Sequence, residues 1–331
     1  MKKIFLRFIV FSLLCCTLFG CTNRRTKILY TVYPLGYIID RLVGNQQQYQ
    51  SIQADNTIIQ KATIVDDYEN VLDTGKVLFH IGDLEPYYVS HSMNIKNNGI
   101  LDIDLSSDNA VYAFQRYTKQ QNEDGTYVYV TSPYYEGNAF NTIDTYEKDL
   151  CLWLDPITML SVAKDIKDYL VKEDSIHAGS IESNFEELEE DLINIDAQYQ
   201  NLANTIEKNQ EKIRFVSMSS CFGSWQKAYG FEIYPVVLSR YGSLPDEEQL
   251  EIIEKRILED DVHYIAYESN MSEDMIALYE KIKEDCNLSR IDLSNLSSLS
   301  DEEASAGKDY ISISYQNLQA LESIIETSDN E

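Results

Sequence analysis

Apolar residues recur at alternating four- and three-residue steps between Ser175 and Asn209. This spacing keeps them on one side of an α-helix, whereas a strand would scatter them over both faces. Asp174 stands where a helix N-cap is expected, and Lys208 lies at the end that favours cations. The stripe consists of Ile181, Phe185, Leu188, Leu192, Ile195, Tyr199, Leu202 and Ile206. At 1.5 Å per residue the predicted helix is about 50 Å long. We interpret it as a rigid connection between two lobes; a coiled coil with a second chain is the alternative.

Short apolar strand patterns alternate with amphipathic helix patterns on both sides of this helix. Strands are predicted at 27–32, 77–81, 100–103, 213–218, 231–236, 263–267 and 290–293. Such alternation predicts an α/β fold in which each lobe has a small, mostly parallel sheet with flanking helices. The corresponding division of the chain is an N-terminal lobe at 27–156, a helical segment with the long linking helix at 157–211, a C-terminal lobe at 212–325 and a tail at 326–331.

The segment 108–148 interrupts the alternation of strands and helices. Its strand patterns at 111–117 and 127–131 flank Asn122-Glu123-Asp124-Gly125, which predicts a β-hairpin. The segment is rich in tyrosine, of which the chain has 24. Tyrosine gives a large contact area with a polar tip, so the insert could be a contact surface or simply pack on its own lobe.

The chain begins with Lys2, Lys3 and Arg7 around a short apolar run that ends at Gly20-Cys21. This arrangement is typical of a signal peptide at 1–20, with Cys21 as the lipidated first residue of the mature protein. Residues 21–26 would then be a tether. We therefore expect an extracytoplasmic body that is anchored to the outer face of the cell membrane by its lipid.

The composition narrows the classes of partner and function. Removing the signal peptide takes the net charge from −28 to −31, which argues against nucleic acid as a partner. The sequence has no Gly-x-Ser-x-Gly, His-Glu-x-x-His or phosphate-binding loop motif, so we expect no enzyme activity and no catalytic cofactor. We also expect a monomer.

Several short motifs in a fixed order resemble the solute-binding lipoproteins of metal-importing ABC transporters, the zinc and manganese type with a rigid interdomain helix. They are Tyr33-Pro34, Asp67-Tyr68-Glu69, Gly82-Asp83-Leu84-Glu85-Pro86, Trp153-Leu154-Asp155-Pro156, Asn184, Phe222-Gly223, Pro245, Glu268, Asp292, Ala306-Gly307-Lys308-Asp309-Tyr310 and Asn317-Leu318. The resemblance covers nearly all of the mature chain. It implies a ligand cleft between the lobes, zinc or manganese as the transported ligand, and an ABC permease as the partner.

The resemblance also assigns metal-ligand positions, and three of the four are altered. Asp66 and Cys151 stand where the family has histidines, Ser219 where it has His or Glu, and Asp292 is the aspartate that is kept. Because these residues follow strands or precede helices, we expect them to converge on one point. Asp67, Glu69, Cys221 and Glu268 are the expected cleft neighbours.

Two alternatives follow from the altered positions. Two carboxylates and a thiolate can bind zinc, but a cleft that has lost its metal is the rival interpretation. Cys151 and Cys221 are expected to be small buried thiols, with a disulfide across the cleft as the alternative. If the cleft is metal-free, the protein would be a cell-surface interaction or adhesion lipoprotein.

Overall fold

The computed structural model describes residues 25–106 and 115–327. The chain first builds a four-stranded sheet in which every pair is parallel, in the order β2-β1-β3-β4. Its strands are Lys27–Tyr30 (β1), Tyr49–Ser51 (β2), Gly75–His80 (β3) and Leu101–Asp104 (β4). Its helices are Tyr33–Val43 (α1), Tyr68–Thr74 (α2) and Pro86–Asn98 (α3). Short 3-10 turns occupy Gly44–Gln46 and Ile59–Lys61.

The tyrosine-rich insert contains the predicted hairpin. Arg116–Gln121 (β5) and Tyr127–Ser132 (β6) pair antiparallel. Gly125 adopts φ +83°, a left-handed conformation that glycine tolerates best, and this closes the turn. Residues 111–114 of the predicted first strand lie outside the described residues. A 3-10 turn at Asn138–Phe140 follows the hairpin.

Two long helices follow a 3-10 turn at Leu152–Leu154: Pro156–Glu173 (α4) and Ala178–Asn209 (α5). Asp155 caps α4 through the N–H groups of Ile157 and Thr158. Helix α5 buries every residue of the predicted stripe except Phe185, which is partly buried against the same core.

The second sheet is also fully parallel, in the order β11-β10-β8-β9. Its strands are Arg214–Ser217 (β8), Glu232–Pro235 (β9), Tyr264–Tyr267 (β10) and Ser289–Asp292 (β11), and the short strands Glu211–Lys212 (β7) and Glu326–Thr327 (β12) pair separately. Its helices are Gly223–Tyr229 (α6), Glu247–Glu259 (α7), Glu273–Asp285 (α8), Asp301–Ser305 (α9) and Tyr310–Glu322 (α10). The prediction of two α/β lobes, each with a parallel sheet, and one long helix is confirmed.

The long helix packs against both lobes along its length. It packs against α1, α4 and α10, and its apolar stripe belongs to one hydrophobic cluster that contains Leu35 beside the first sheet and Phe215 of the second. The helix therefore joins the lobes by sharing a core with both. No helix in the two described ranges is long and apolar enough to cross a membrane.

Candidate functional site

Glu268 is the most completely hydrogen-bonded buried carboxylate at the carboxyl ends of the second sheet. It follows β10, and its Oε1 accepts the backbone N–H groups of Met218 (2.9 Å) and Ser219 (2.8 Å) in the loop after β8. Its Oε2 accepts the Ser219 hydroxyl (2.5 Å) and the Asn295 amide (2.7 Å). Burial raises the pKa of Glu268, and these donors act in the opposite direction. The carboxylate holds three loops together.

A network of neutral side chains continues from Glu268. The Asn270 amide donates to Asn295 Oδ1 (3.1 Å) and to the hydroxyls of Ser297 (3.0 Å) and Ser298 (3.1 Å). The Asn295 amide donates in turn to Asn270 Oδ1 at 3.0 Å. Asparagine and serine satisfy one another here, so this network is polar but uncharged beyond Glu268.

The same network reaches the first lobe. The Ser298 hydroxyl donates to the carbonyl of Asn56 (2.9 Å), and the N–H of Ile58 donates to the carbonyl of Asn270 (3.1 Å). The Trp153 indole donates to the carbonyl of Asn295 at 2.8 Å. The two lobes are therefore bound to each other directly through backbone groups at this edge.

A disulfide joins Cys151 to Cys221, with their Cα atoms 5.4 Å apart. Cys151 precedes α5 in the chain and Cys221 follows β8, so the bond links the parts of the chain on either side of the long helix. Both cysteines are buried. The expectation of two free thiols is wrong, because the fold brings the sulfurs into bonding contact; Cys286 is the free, buried cysteine of the described chain.

Asp149 lies beside this disulfide and is buried. Its Oδ1 accepts the N–H of Cys151 at 2.9 Å, while its Oδ2 has no hydrogen-bond partner. Burial raises the pKa of Asp149 to about 7, and the hydrogen bond from the N–H of Cys151 acts against this rise. A Cβ atom at Gly223 would lie 2.8 Å from Oδ2, so only glycine lets the carboxylate approach the start of α6 this closely.

The four predicted ligand positions do not form a metal centre. Asp66 is exposed, as are Asp67 and Glu69 at the start of α2. Asp292 is also exposed, and it pairs with Arg290, whose Nε lies 2.9 Å from its Oδ1. Ser219 is buried, but its hydroxyl is bound to Glu268.

The predicted convergence of these positions on one point stays a prediction. Cys151 is in a disulfide and offers no thiolate. Asp292, at the end of β11, pairs with Arg290 of the same strand. Within residues 25–106 and 115–327, no group of three or more His, Cys, Asp and Glu side chains is arranged to hold a metal ion.

Sequence reasoning missed two members of the site. Asn295 lies three residues beyond Asp292, in the polar run Ser294-Asn295-Leu296-Ser297-Ser298, and that run was the available signal. Asp149 lies two residues before Cys151 and carries no motif. Of the expected cleft neighbours, Glu268 and Cys221 are at the site and buried, while Asp67 and Glu69 are exposed.

Comparison with known proteins identifies the family. The profile described as "Zinc-uptake complex component A periplasmic" (ZnuA) matches residues 28–324. The chain belongs to this family. The high-affinity zinc uptake system protein ZnuA of Bacillus subtilis is 28% identical over 181 residues, which is 54% of this chain and 53% of that protein. The zinc-binding lipoprotein AdcA of Streptococcus pneumoniae is 25% identical over 186 residues, which is 56% of this chain and 35% of that protein.

The alignments with these curated relatives span about half or less of their length. The solved structure of the periplasmic zinc-binding protein TroA from Treponema pallidum superposes with a TM-score of 0.70 at 14% identity, covering 91% of this chain and 99% of that one. At that identity the likeness establishes the fold alone. This ZnuA-family chain thus keeps the two-lobed architecture of its structural neighbours.

Proposed function

We propose that this protein is the extracytoplasmic solute-binding component of an ABC importer for a transition-metal ion. The observation that carries the proposal is the family match, because residues 28–324 include both sheets and the long helix. ZnuA is a family of substrate-binding transport proteins, which work with permease and ATPase components. The B. subtilis and S. pneumoniae relatives are named for zinc, so zinc is the first cargo to test and manganese the second.

The position of the site supports the same proposal. Glu268, Asn295 and the disulfide lie beyond the carboxyl ends of strands and between the lobes, where open α/β sheets bind their ligands. A cell-surface interaction lipoprotein with a metal-free cleft is the second candidate. Family membership over both lobes favours transport over this alternative.

Attachment at the membrane completes the proposal. Cys21, which lies outside the described residues, would carry the lipid that keeps a monomeric body at the outer face of the membrane beside its permease. The long helix and the contacts between the lobes would allow small movements on binding rather than a wide hinge motion. The division of the chain at 27–156, 157–211 and 212–325 remains a proposal of the same kind.

Elemental analysis of the purified mature chain tests the function. The protein should be prepared once without and once with a reductant that does not bind metal, and then exposed to zinc or manganese and desalted. We expect about one metal ion per chain in at least one state, together with a rise in Tm that grows with metal concentration. Absence of bound metal and of any Tm shift in both states would overturn metal transport as the function.

A further inference from the structure

We propose that His80, Tyr88 and Asp102 form a buried proton-binding site in the first lobe, and that loss of its proton loosens the loop by which this lobe holds the second one. The loop consists of residues 82–84 and follows β3. The inference concerns a control of conformation that is built into the fold, and it does not depend on the proposed metal import.

The three side chains lie at one end of the first sheet. His80 ends β3, and Asp102 lies in the neighbouring strand β4, where it pairs with Leu78. Because Leu78 and His80 are two residues apart, the side chains of His80 and Asp102 share one face of the sheet. His80 is buried, and its ring stacks on Tyr88 of α3 with the ring centroids 4.1 Å apart. The imidazole is therefore held between a phenol and a carboxylate.

The contacts of this imidazole require a proton on each of its nitrogens. The carbonyl oxygen of Gly82 lies 2.9 Å from Nδ1 and can only accept, so Nδ1 carries a proton. The Tyr88 hydroxyl donates to Asp102 Oδ2 at 2.7 Å, so it presents its oxygen to Nε2, 3.0 Å away. Asp102 Oδ1 lies 3.4 Å from Nε2 and has no hydrogen-bond partner. A second proton, on Nε2, satisfies both oxygens and makes His80 a cation.

The other titratable groups around the site are acidic. Burial would raise the pKa of Asp104, at the end of β4, but the hydrogen bonds that its carboxylate accepts and the charge of His80 lower it. Burial and the hydrogen bond to Asp102 raise the pKa of Tyr88, and Asp104 and Glu85 add to this rise. The phenol therefore keeps its proton, and the carboxylates favour a positive imidazole.

The loop connects this site to the second lobe. Its first residue, Gly82, is bound to His80 Nδ1 through its carbonyl. The guanidinium of Arg240, which follows β9, donates to the carbonyl of Asp83 (3.1 Å) and pairs with its carboxylate (2.6 Å). The Tyr146 hydroxyl donates to the carbonyl of Leu84 (2.5 Å). The histidine thus fixes the loop on the side opposite to the contact with Arg240.

Loss of the Nε2 or Nδ1 proton to solvent must break one set of contacts. If the proton stays on Nδ1, the Tyr88 hydroxyl turns to Nε2, and both oxygens of Asp102 lose their donors. If it stays on Nε2, Asp102 and Tyr88 keep their contacts, but a lone pair of Nδ1 faces the Gly82 carbonyl. A buried carboxylate without donors costs more than an unpaired carbonyl. We therefore expect the second form, with a loosened loop. Histidine changes its charge between about pH 5 and 8, where such a change can act as a switch.

Nitrogen-15 NMR of the histidine rings in the full mature chain tests the site. The chain has four histidines, so the variants H91Q, H177Q and H263Q assign the signals of His80 by elimination. At pH 5.5 both ring nitrogens of His80 should carry a proton, and at pH 8.5 only Nε2 should. Hydrogen exchange, corrected for the intrinsic effect of pH, should show at least a tenfold loss of protection at the N–H groups of Gly82 and Leu84 between these two values.

Two variants show whether the histidine causes the change. H80Q should remove the pH dependence of the loop, because glutamine does not titrate. H91Q, which changes a histidine of α3 that contacts the carbonyl of Tyr87, is the matched control and should keep it. The inference is overturned if His80 of the native chain carries its proton on Nδ1 at pH 8.5, or if the loop of the native chain is equally protected at both pH values. An H80Q chain that loses protection as the native chain does would also overturn it.

Discussion

Two buried glutamates show how differently the same side chain can be accommodated. Glu268 accepts four hydrogen bonds, whereas neither carboxylate oxygen of Glu85 has a hydrogen-bond partner. Glu85 precedes α3 and is fully buried. Burial raises its pKa to about 7, and the charges of Asp104 and Asp83 add to this rise. The hydrogen-bond donors around Glu268 thus oppose the rise in its pKa, whereas the rise at Glu85 is not offset in this way.

Glu85→Gln should therefore stabilise the protein at alkaline pH. The folded pKa lies above the unfolded value, so the contribution of this residue is fully present below about pH 4.5 and is lost as pH rises through about 7. The loss amounts to roughly 3 kcal/mol. Denaturant unfolding at pH 8 should show a gain of that order for E85Q, and at pH 4 almost none. The exposed change E69Q should have no effect at either pH; equal gains for E85Q at both pH values would contradict the assignment.

Glu268→Gln should have the opposite effect. The glutamine side chain has the same shape, but its NH2 group would face a donor from Met218, Ser219 or Asn295. The hydrogen bonds to a carboxylate would also be lost. We expect a loss of about 2–3 kcal/mol in the free energy of unfolding at pH 7. Urea denaturation of E268Q measures it. A variant as stable as the native chain would show that the three loops hold together without this carboxylate.

At the scale of elements, periodicity predicted nearly all of the fold. The stripe from Ile181 to Ile206 placed the end of α5 at Asn209, as observed. The start is three residues later than predicted because Asp174 binds the N–H groups of Ile176 and His177 and closes a separate turn. Strands β2 and β12 are too short to carry a pattern of their own.

The site was less predictable than the fold, because it is formed by contacts between residues that lie far apart in the sequence. Glu268 meets Ser219 from 49 residues away, and Cys151 meets Cys221 from 70 residues away. The resemblance named Ser219, Cys151 and Cys221 as residues of the cleft, and this assignment stays a prediction. It could not show that Asp292 would pair with Arg290. The arginine lies two residues earlier on the same strand, and its guanidinium binds the carboxylate that was predicted to bind metal.

The shared core along α5 gives a direct prediction. Leu192→Ala removes a fully buried side chain from the helix and should cost about 2–5 kcal/mol. Because the cluster spans both sheets, the whole chain should still unfold in one transition. Ile193→Ala, at the next position and 47% exposed, is the matched control and should cost less than about 0.5 kcal/mol. Two separate transitions in L192A, monitored by circular dichroism and tyrosine fluorescence, would contradict a common core.

At the scale of the whole molecule, attachment to the membrane depends on the proposed lipid anchor. Cys21→Ala should release the protein from the membrane, because the acyl chains and not the polypeptide provide the attachment. Fractionation of cells followed by detection of the protein measures this. A conservative change at Thr22, such as T22S, should leave the protein membrane-bound. Equal retention of C21A would mean that the apolar run near the N-terminus is itself the anchor.

Metal uptake by cells tests the central claim most directly. Cells that lack this protein should accumulate radioactive zinc more slowly under zinc limitation, and the native gene should restore the rate. If loss of the protein changes neither zinc nor manganese uptake at any limiting concentration, the protein does not serve metal import and the account is wrong.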